Sequence, residues 1–262
     1  MALLHSYFFS EALGMSVAVD VILPQNAKKQ IGMAAVSRDK VPVLWLLHGA
    51  SDNHTIWQRR TSIERYVADR GIAVVMPNAH LSRYTDMAHG GKYFTYIADE
   101  LPVLMRGFFP MLSHERKDNF IAGLSMGAYG ALKIGLSRPA QYAAIGAFSG
   151  GNFLKPRAGA DAEAMNAMLG RVYGLGPGES VEGTKHDAIK LGGDLVEAGG
   201  PFPRVYAACG TEDFVYESFQ RTADFFRSVP GNPFGFVCTE RPGVHEWGFW
   251  DQEIQTFLNF IG

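Results

Sequence analysis

Cysteine is scarce in this chain, because only Cys209 and Cys238 occur among 262 residues. Both lie in apolar, strand-like runs, and two residues cannot build the dense disulfide framework of a small secreted domain. We therefore expect two buried free thiols, with a disulfide between them as the alternative.

Long apolar runs are also absent. No stretch of about eighteen apolar residues is present that could cross a bilayer as a helix. The first residues, Met-Ala-Leu-Leu-His-Ser-Tyr, lack the basic segment and apolar core of a signal peptide. We expect a cytoplasmic protein that does not associate with a membrane.

Clustered basic charge is missing as well. The net charge is −2 at neutral pH, and no basic run is longer than a pair, such as those at 28–29 and 59–60. A surface that follows nucleic-acid phosphates needs more positive charge, so nucleic acid is not an expected partner. The hydrophobic content of 47% and the charged content of 19% are typical of a globular protein, and the length suits one α/β domain over residues 1–262.

Strand-like and helix-like segments alternate along the chain. Residues 7–24 predict a hairpin with its turn at 13–15. Buried strands are predicted at 41–48, 72–77, 119–124, 143–148, 204–209 and 235–240, and helices at 56–70, 93–109 with an interruption at Pro102, 128–138, 214–229 and 247–260. This order predicts an α/β fold with a central, mostly parallel sheet, an antiparallel N-terminal edge and helices on both faces.

The segment at about 151–200 has a different composition. Glycine accounts for eleven of its fifty residues, and only residues 160–169 have a helical pattern. An irregular segment of this length inside a compact domain is usually a lid or a binding insertion. We expect it to be lid-like.

A G-x-S-x-G pattern, Gly123 to Gly127, follows an apolar run and precedes a helical one. Small residues two before and two after the apex allow a sharp turn from strand to helix, which exposes the apex side chain at the edge of a sheet. The motif therefore predicts that Ser125 is a nucleophile. A glycine-rich turn that merely contains a serine is the alternative.

A serine nucleophile needs a histidine base and an acid, which follow it in the order acid, histidine in this type of fold. Of the eight histidines, only His186 and His245 come after Ser125. His186 lies in the 151–200 segment, whereas His245 follows the last predicted strand, so we select His245. The acid is Asp213 or the neighbouring Glu212. Asp213 is preferred, although an aspartate there could simply cap the next helix.

An oxyanion is expected to be held by two backbone N–H groups. One belongs to Met126, after the nucleophile, and the other to Ala50, in the loop that follows the strand at 41–48. His48, Asp52 and His54 lie near this loop but match no recognised ligand pattern, so no metal or cofactor is expected. Aromatic residues expected near this edge, as pocket walls or as plain core, are Trp57, Tyr84, Phe153 and Trp247.

These motifs resemble the esterase D-like family of the α/β-hydrolase superfamily, which includes S-formylglutathione hydrolases, mycolyltransferases and tributyrin esterases. The similarity is greatest to the tributyrin-esterase branch. It rests on residues 48–57 (His-Gly-Ala-Ser-Asp-Asn-His-Thr-Ile-Trp), 60–65 (Arg-Thr-Ser-Ile-Glu-Arg), 75–78 (Val-Met-Pro-Asn) and 121–127 (Ile-Ala-Gly-Leu-Ser-Met-Gly).

The resemblance implies an α/β-hydrolase that cleaves short acyl esters with Ser125, Asp213 and His245, and it allows a homo-oligomer. Two positions depart from the family: Ala128 replaces a usual glycine, and the loop after Gly49 lacks the cysteine of S-formylglutathione hydrolases. Feruloyl esters, acetylated carbohydrates and S-formylglutathione are alternative substrates. A catalytically silent binding protein on a hydrolase scaffold is the alternative outside enzymology.

Overall fold

A computed structural model describes residues 1–25, 29, 31, 36, 38–151, 162–176 and 179–262. Its centre is an eight-stranded sheet with the order β1-β2-β4-β3-β5-β6-β7-β8. The strands are β1 (Ala2–Ser10), β2 (Met15–Leu23), β3 (Val43–Leu47), β4 (Ala73–Pro77), β5 (Asn119–Leu124), β6 (Ala144–Phe148), β7 (Arg204–Gly210) and β8 (Val237–Arg241).

The strand directions confirm the predicted sheet. β1 pairs antiparallel with β2, and β2 pairs antiparallel with β4, whereas all pairs from β4 to β8 are parallel. Every residue of β3, β4, β5 and β6 is buried. Their near-continuous apolar sequences follow from this, because a parallel strand is covered on both faces.

Helices cover both faces of the sheet, as expected. They are α1 (Ile56–Arg60), α2 (Ile63–Ala68), α3 (Tyr93–Thr95), α4 (Leu101–Phe108), α5 (Met126–Ser137), α6 (Ala162–Tyr173), α7 (Ala188–Glu197), α8 (Tyr216–Ser228) and α9 (Trp247–Ile261). One apolar core contains side chains of α4, α5 and α7, and a second contains those of α1, α2 and α9. The sheet separates the two cores.

Two predicted helices differ in detail from the structure. The helix expected at 56–70 is divided into α1 and α2 at Thr61, which has an extended backbone and accepts the Ile63 N–H with its hydroxyl. The helix expected at 93–109 passes through Pro102 without ending. The turn before it widens into a π-helix, Tyr96–Glu100, which accommodates a residue without an N–H.

The segment after 151 contains more helix than its composition indicates. α6 extends the predicted helical stretch, and α7 was not predicted. The sequence gives no clear sign of α7 because Gly192 lies within it. In the structure, a Cβ at Gly192 would lie 2.4 Å from the Phe225 ring of α8. The glycine therefore permits close packing of α7 on α8 instead of breaking the helix. Asp187 caps α7 by accepting the N–H groups of Ile189 and Lys190.

Both cysteines are free thiols, as predicted. Cys209 is buried, but Cys238 is only half-buried because it lies on β8 at the edge of the sheet. The expectation of two buried thiols is therefore wrong for Cys238. None of the described helices has the length and apolar composition that a bilayer span requires.

Candidate active site

Ser125 is the apex of a sharp turn between β5 and α5. Its backbone has φ 51° and ψ −116°, a region that costs a non-glycine residue about 1–3 kcal/mol. A Cβ at Gly123 would lie 2.6 Å from the Gly127 backbone, and a Cβ at Gly127 would lie 2.5 Å from the Leu47 carbonyl oxygen. Both glycines are required by backbone contacts, as the motif predicts.

Gly127→Ala is expected to destabilise the fold by about 1–3 kcal/mol, because backbone atoms of β3 cannot move away from the added methyl group. Gly107→Ala is the matched control. Gly107 is exposed in α4 with nothing within 4 Å of an added Cβ, so alanine should stabilise by up to about 1 kcal/mol. Urea unfolding of both variants measures the difference, and equal midpoints would contradict this account of the turn.

Asp213 and His245 meet at the carboxyl edge of the sheet. Asp213 follows β7 and His245 follows β8, and His245 Nδ1 lies 2.9 Å from both carboxylate oxygens. The two loops touch, since a Cβ at Gly210 would lie 2.1 Å from the Gly243 carbonyl oxygen. With its Nδ1–H directed to the carboxylate, His245 has a lone pair on Nε2.

The carboxylate of Asp213 is buried yet charged. Burial alone would raise its pKa, but hydrogen bonds from His245, the Val215 N–H and the Ser149 hydroxyl outweigh burial and lower the pKa. The Ser149 oxygen accepts the Trp250 Nε1–H at 2.9 Å, which leaves its own proton for Asp213. Asp213 also accepts the Val215 N–H at 2.9 Å. Val215 is the N-cap residue of α8, which has no side-chain cap, so this bond belongs to the turn before the helix and the capping alternative is wrong.

Glu212, the other candidate acid, has a different contact. Its side chain is exposed and accepts the Gly243 N–H at 2.5 Å, while its own N–H donates to the Gly243 carbonyl at 3.1 Å. Glu212 thus joins the loop after β7 to the loop that carries His245. The imidazole is contacted by Asp213 instead.

Ser125 opens into a cavity of about 260 Å³. Ala50 and Met126, the two predicted oxyanion donors, line it together with Leu81, Arg83, Met165, Met168 and Phe214. Within the described residues, the N–H groups of Ala50 and Met126 donate to no other protein group. Phe214 packs on His245 with ring centroids 4.3 Å apart, so the base adjoins the same cavity.

His48 orients the peptide that carries the Ala50 N–H. Its Nε2 accepts the Ala79 N–H at 2.9 Å, so its proton is on Nδ1, 2.7 Å from the Gly49 carbonyl oxygen. Burial lowers the pKa of His48 to about 4, which keeps the ring neutral at pH 7. Because C=O and N–H of one trans peptide point in opposite directions, this bond directs the Ala50 N–H away from His48.

His48→Gln is expected to lower kcat about 10–100-fold with a smaller change in KM, because the donor to Gly49 is lost and the Ala50 N–H turns. His48→Asn places an amide N–H near the position of Nδ1 and should recover most of that loss. Steady-state kinetics with p-nitrophenyl acetate distinguish the two variants. Equal kcat for both would show that His48 has only a packing role.

Three of the aromatic residues proposed as pocket walls lie elsewhere. Trp57 and Tyr84 are 1% and 0% exposed and donate hydrogen bonds to the Leu47 and His48 carbonyls, at 3.0 and 2.8 Å. They support the end of β3 from inside the core. Trp247 packs edge-to-face on Trp57 with centroids 5.2 Å apart and lies, half-buried, against the core that contains α9. Phe153 lies outside the described residues.

The lining residues that the sequence did not predict come from three places, which are α6, the loop at 81–83 and Phe214, the residue after Asp213. Met165 and Met168 are three residues apart on α6, so they share one face of a helix whose centre was predicted. That spacing could have identified them. Leu81 and Arg83 lie in a loop whose backbone course no sequence pattern indicates, and Arg83 has φ 51° there. Their positions in the cavity lining could not be predicted.

Comparison with known proteins gives matches over nearly the whole chain. A family model described as "Putative esterase" matches residues 10–261. An acetyl esterase of Caldicellulosiruptor saccharolyticus is 30% identical over 265 residues, which cover 100% of this chain and 98% of that protein.

Two solved structures from Staphylococcus aureus are also similar. Fluorophosphonate-binding serine hydrolase F (FphF), substrate bound, has a TM-score of 0.85 and 31% identity, covering 99% of this chain and 98% of its own. S-formylglutathione hydrolase (FrmB) has a TM-score of 0.79 and 30% identity with the same coverage. Serine hydrolases therefore share the entire fold described above.

Proposed function

The chain belongs to the esterase family that matches residues 10–261 and is a carboxylic ester hydrolase, and from this premise we propose that it cleaves short-chain acyl esters through an acyl-enzyme on Ser125. His245 and Asp213 complete the proposed triad. Membership of an enzyme family removes the alternative of a silent binding protein.

In the proposed mechanism, the Ser125 hydroxyl oxygen attacks the ester carbonyl while His245 Nε2 takes the hydroxyl proton. The tetrahedral intermediate collapses when that proton passes to the alcohol oxygen and the bond between carbonyl carbon and alcohol breaks. Water then enters and loses a proton to Nε2, and its oxygen attacks the acyl carbon. The acid leaves and Ser125 regains its proton. Asp213 stabilises the imidazolium in both halves.

The Ala50 and Met126 N–H groups are the proposed oxyanion donors. Support comes from their position with Ser125 on one cavity and from their lack of partners among the described residues. Met126 is the first residue of α5, where an N–H has no partner within the helix. Unsatisfied donors beside a nucleophile can stabilise a developing negative charge without reorganisation.

The observation that carries the acyl preference is the size and lining of the cavity. About 260 Å³ is at the low end for ligand pockets, and the thioethers of Met165 and Met168 with Leu81 make its wall apolar. An apolar wall favours an alkyl acyl group over a charged one. Long acyl chains would exceed the space unless α6 moved.

A series of p-nitrophenyl esters from acetate to octanoate tests this proposal. We expect the highest kcat/KM between acetate and butyrate, since each methylene that fits contributes about 0.8 kcal/mol. At octanoate we expect a loss of about tenfold or more, because the additional methylenes exceed the cavity. Met168→Ala should shift the optimum towards longer chains. A rise in kcat/KM through octanoate in the wild type would refute the short-chain preference.

The experiment above tests the acyl group, and the alcohol or thiol group of the natural substrate needs a separate comparison. Relatives are an acetyl esterase and an S-formylglutathione hydrolase, so acetylated sugars and S-formylglutathione are the substrates to compare first, with methyl ferulate as a third. The loop Ala50-Ser51-Asp52 contains no cysteine, which favours the oxygen esters. A kcat/KM for S-formylglutathione far above that for acetylated sugars would reverse this order.

A further inference from the structure

A buried lysine lies on α5, the helix that begins directly after Ser125. Lys133 is 3% exposed, and its Nζ donates to Thr85 Oγ1 at 2.6 Å and to His186 Nδ1 at 3.0 Å. Burial, with repulsion from Arg83 and Lys185, lowers the pKa of Lys133 to about 7. Buried ammonium groups normally have an anionic partner, and the proposed mechanism does not use this one.

Neither acceptor supplies negative charge. His186 is neutral at pH 7, because burial and the nearby Lys133 and Lys185 lower its pKa to about 3. In the part of the chain that the structure describes, no carboxylate lies within hydrogen-bond distance of Lys133 Nζ. An ammonium has three protons, so one remains available.

The two nearby carboxylates are already occupied. Asp86 accepts the Thr95 N–H at 2.9 Å and its hydroxyl at 2.7 Å. Asp99 pairs with Arg138 through two bonds of 2.8 and 2.9 Å. Three cationic side chains line the cavity, Lys133, Arg138 and Lys185 at the exposed rim, and they outnumber its two carboxylates by one.

Lys133 lines a cavity of about 300 Å³ that is separate from the one at Ser125. The ring of Phe94 provides an apolar wall, with Lys133 Nζ 5.5 Å from its centroid. The remaining lining residues are Asp86, Thr95, Asp99, Ser137, Arg138, Lys185 and His186. A cavity with a buried cation, a second cation at the rim and one aromatic wall suits a small anion with an apolar part.

We propose that this cavity binds a small monocarboxylate, with one carboxylate oxygen accepting from Lys133 Nζ, Lys185 adding attraction at the rim and Phe94 contacting the alkyl part. A single negative charge matches the excess of one cationic side chain in the lining, and Asp86 and Asp99 repel a doubly charged phosphate more strongly than a carboxylate. Ester hydrolysis releases acids of this class, so the enzyme's own product is an available ligand.

The site adjoins the cover of the acyl cavity. Tyr129 donates to the His186 carbonyl at 2.7 Å, and Tyr173, the last residue of α6, donates to the Tyr129 hydroxyl at 3.2 Å. Arg83 Nε donates to the Tyr173 hydroxyl at 2.9 Å and lines the cavity at Ser125. These contacts connect the loop around His186 to the end of α6 and to Arg83.

Calorimetric titration of the full-length Ser125→Ala variant with sodium acetate and sodium butyrate, at constant ionic strength, tests the proposal without turnover. We expect one site with a dissociation constant of the order of millimolar. Binding should weaken about tenfold or more from pH 6 to pH 8.5, as Lys133 loses its proton. The other charged groups near Lys133 are Arg83, Asp86 and Lys185, with Asp99 and Arg138 in the same cavity, and the neutral His186 is the titratable group in contact with it.

Lys133→Met in the same background removes the cation with little change in volume and should abolish binding. Lys190→Met is the matched control, because Lys190 is an exposed lysine that pairs with Asp194 on α7, and this variant should bind acetate normally. Melting curves establish that each variant is folded. If Lys133→Met does not fold, Lys185→Gln, at the exposed rim, should weaken binding several-fold.

Three results would overturn the proposal. They are undiminished acetate binding by folded Lys133→Met, absence of binding by Ser125→Ala at pH 6, and tighter binding of inorganic phosphate than of acetate. None depends on the acyl preference proposed above, because the titrated variant performs no hydrolysis.

Discussion

Ser125→Ala is expected to lower kcat for p-nitrophenyl acetate and butyrate by about 10⁴–10⁶-fold, because it removes the hydroxyl that forms the proposed acyl-enzyme. The serine is held at φ 51° by glycine contacts that the substitution leaves unchanged, so the variant should fold like the wild type. Its melting temperature should be equal or higher. Stopped assays at high enzyme concentration measure the residual rate, which the two oxyanion donors should keep above that of water.

Fluorophosphonate labelling is the independent readout of the same prediction. The similar protein FphF is a fluorophosphonate-binding serine hydrolase, and the probe should modify Ser125 once per chain. Ser228→Ala, an exposed serine at the end of α8, is the control and should be labelled fully. Labelling of Ser125→Ala, or hydrolysis at the wild-type rate, would show that another residue is the nucleophile.

The central strands of the parallel sheet could be predicted from the sequence because they are buried on both faces. Parallel strands covered on both faces must be apolar throughout, and β3, β4 and β6 are therefore visible as uninterrupted runs. The local rules failed where tertiary contacts decide. Glycine and proline normally interrupt a helix. Gly192 lies inside α7, however, because it permits close packing on Phe225, and Pro102 lies inside α4 because a widened turn precedes it.

The candidate site was predictable to the extent that chain order determines it. The order serine, acid, histidine leaves His186 and His245, the position after the last predicted strand selects His245, and the structure places its ring against Asp213. The interpretation of Trp57 and Tyr84 as pocket walls is wrong, because proximity to an edge of the sheet does not distinguish a side chain that faces the cavity from one that faces the core. Trp57 and Tyr84 have polar groups, and buried carbonyls at the end of β3 bind them there.

Ala128, which departs from the family pattern, is explained only by a contact distant in sequence. A Cβ at Gly150 would lie 2.3 Å from the Ala128 methyl group, so the two positions share one space. A glycine at 128 would leave room that the methyl group fills. The sequence shows the substitution but not the partner, because Gly150 lies on the loop after β6, 22 residues away (150 − 128).

Asp213→Asn is expected to lower kcat about 10⁴-fold while leaving the fold intact. The Val215 N–H holds an oxygen at the Oδ1 position, so the amide nitrogen of asparagine occupies the Oδ2 position, which is as close to His245 Nδ1 as Oδ1 is, at 2.9 Å. That contact requires an unprotonated Nδ1 and moves the proton to Nε2. An imidazole protonated on Nε2 cannot accept the serine proton. KM should change little, because Asp213 does not line the acyl cavity.

Glu212→Gln is the matched control, one residue away with the same change of charge. Glutamine can still accept the Gly243 N–H, so kcat should fall less than about tenfold and the melting temperature should decrease slightly. Kinetics with p-nitrophenyl acetate, with melting curves for both variants, separate an acid that orients the base from a side chain that joins two loops. If Glu212→Gln and Asp213→Asn lowered kcat equally, the proposal that Asp213 is the acid of the triad would be contradicted.

Both residues lie on one loop after β7, so a general disturbance of that loop would lower kcat equally in the two variants. Only a direct role of Asp213 predicts a difference in kcat of about 10³-fold or more.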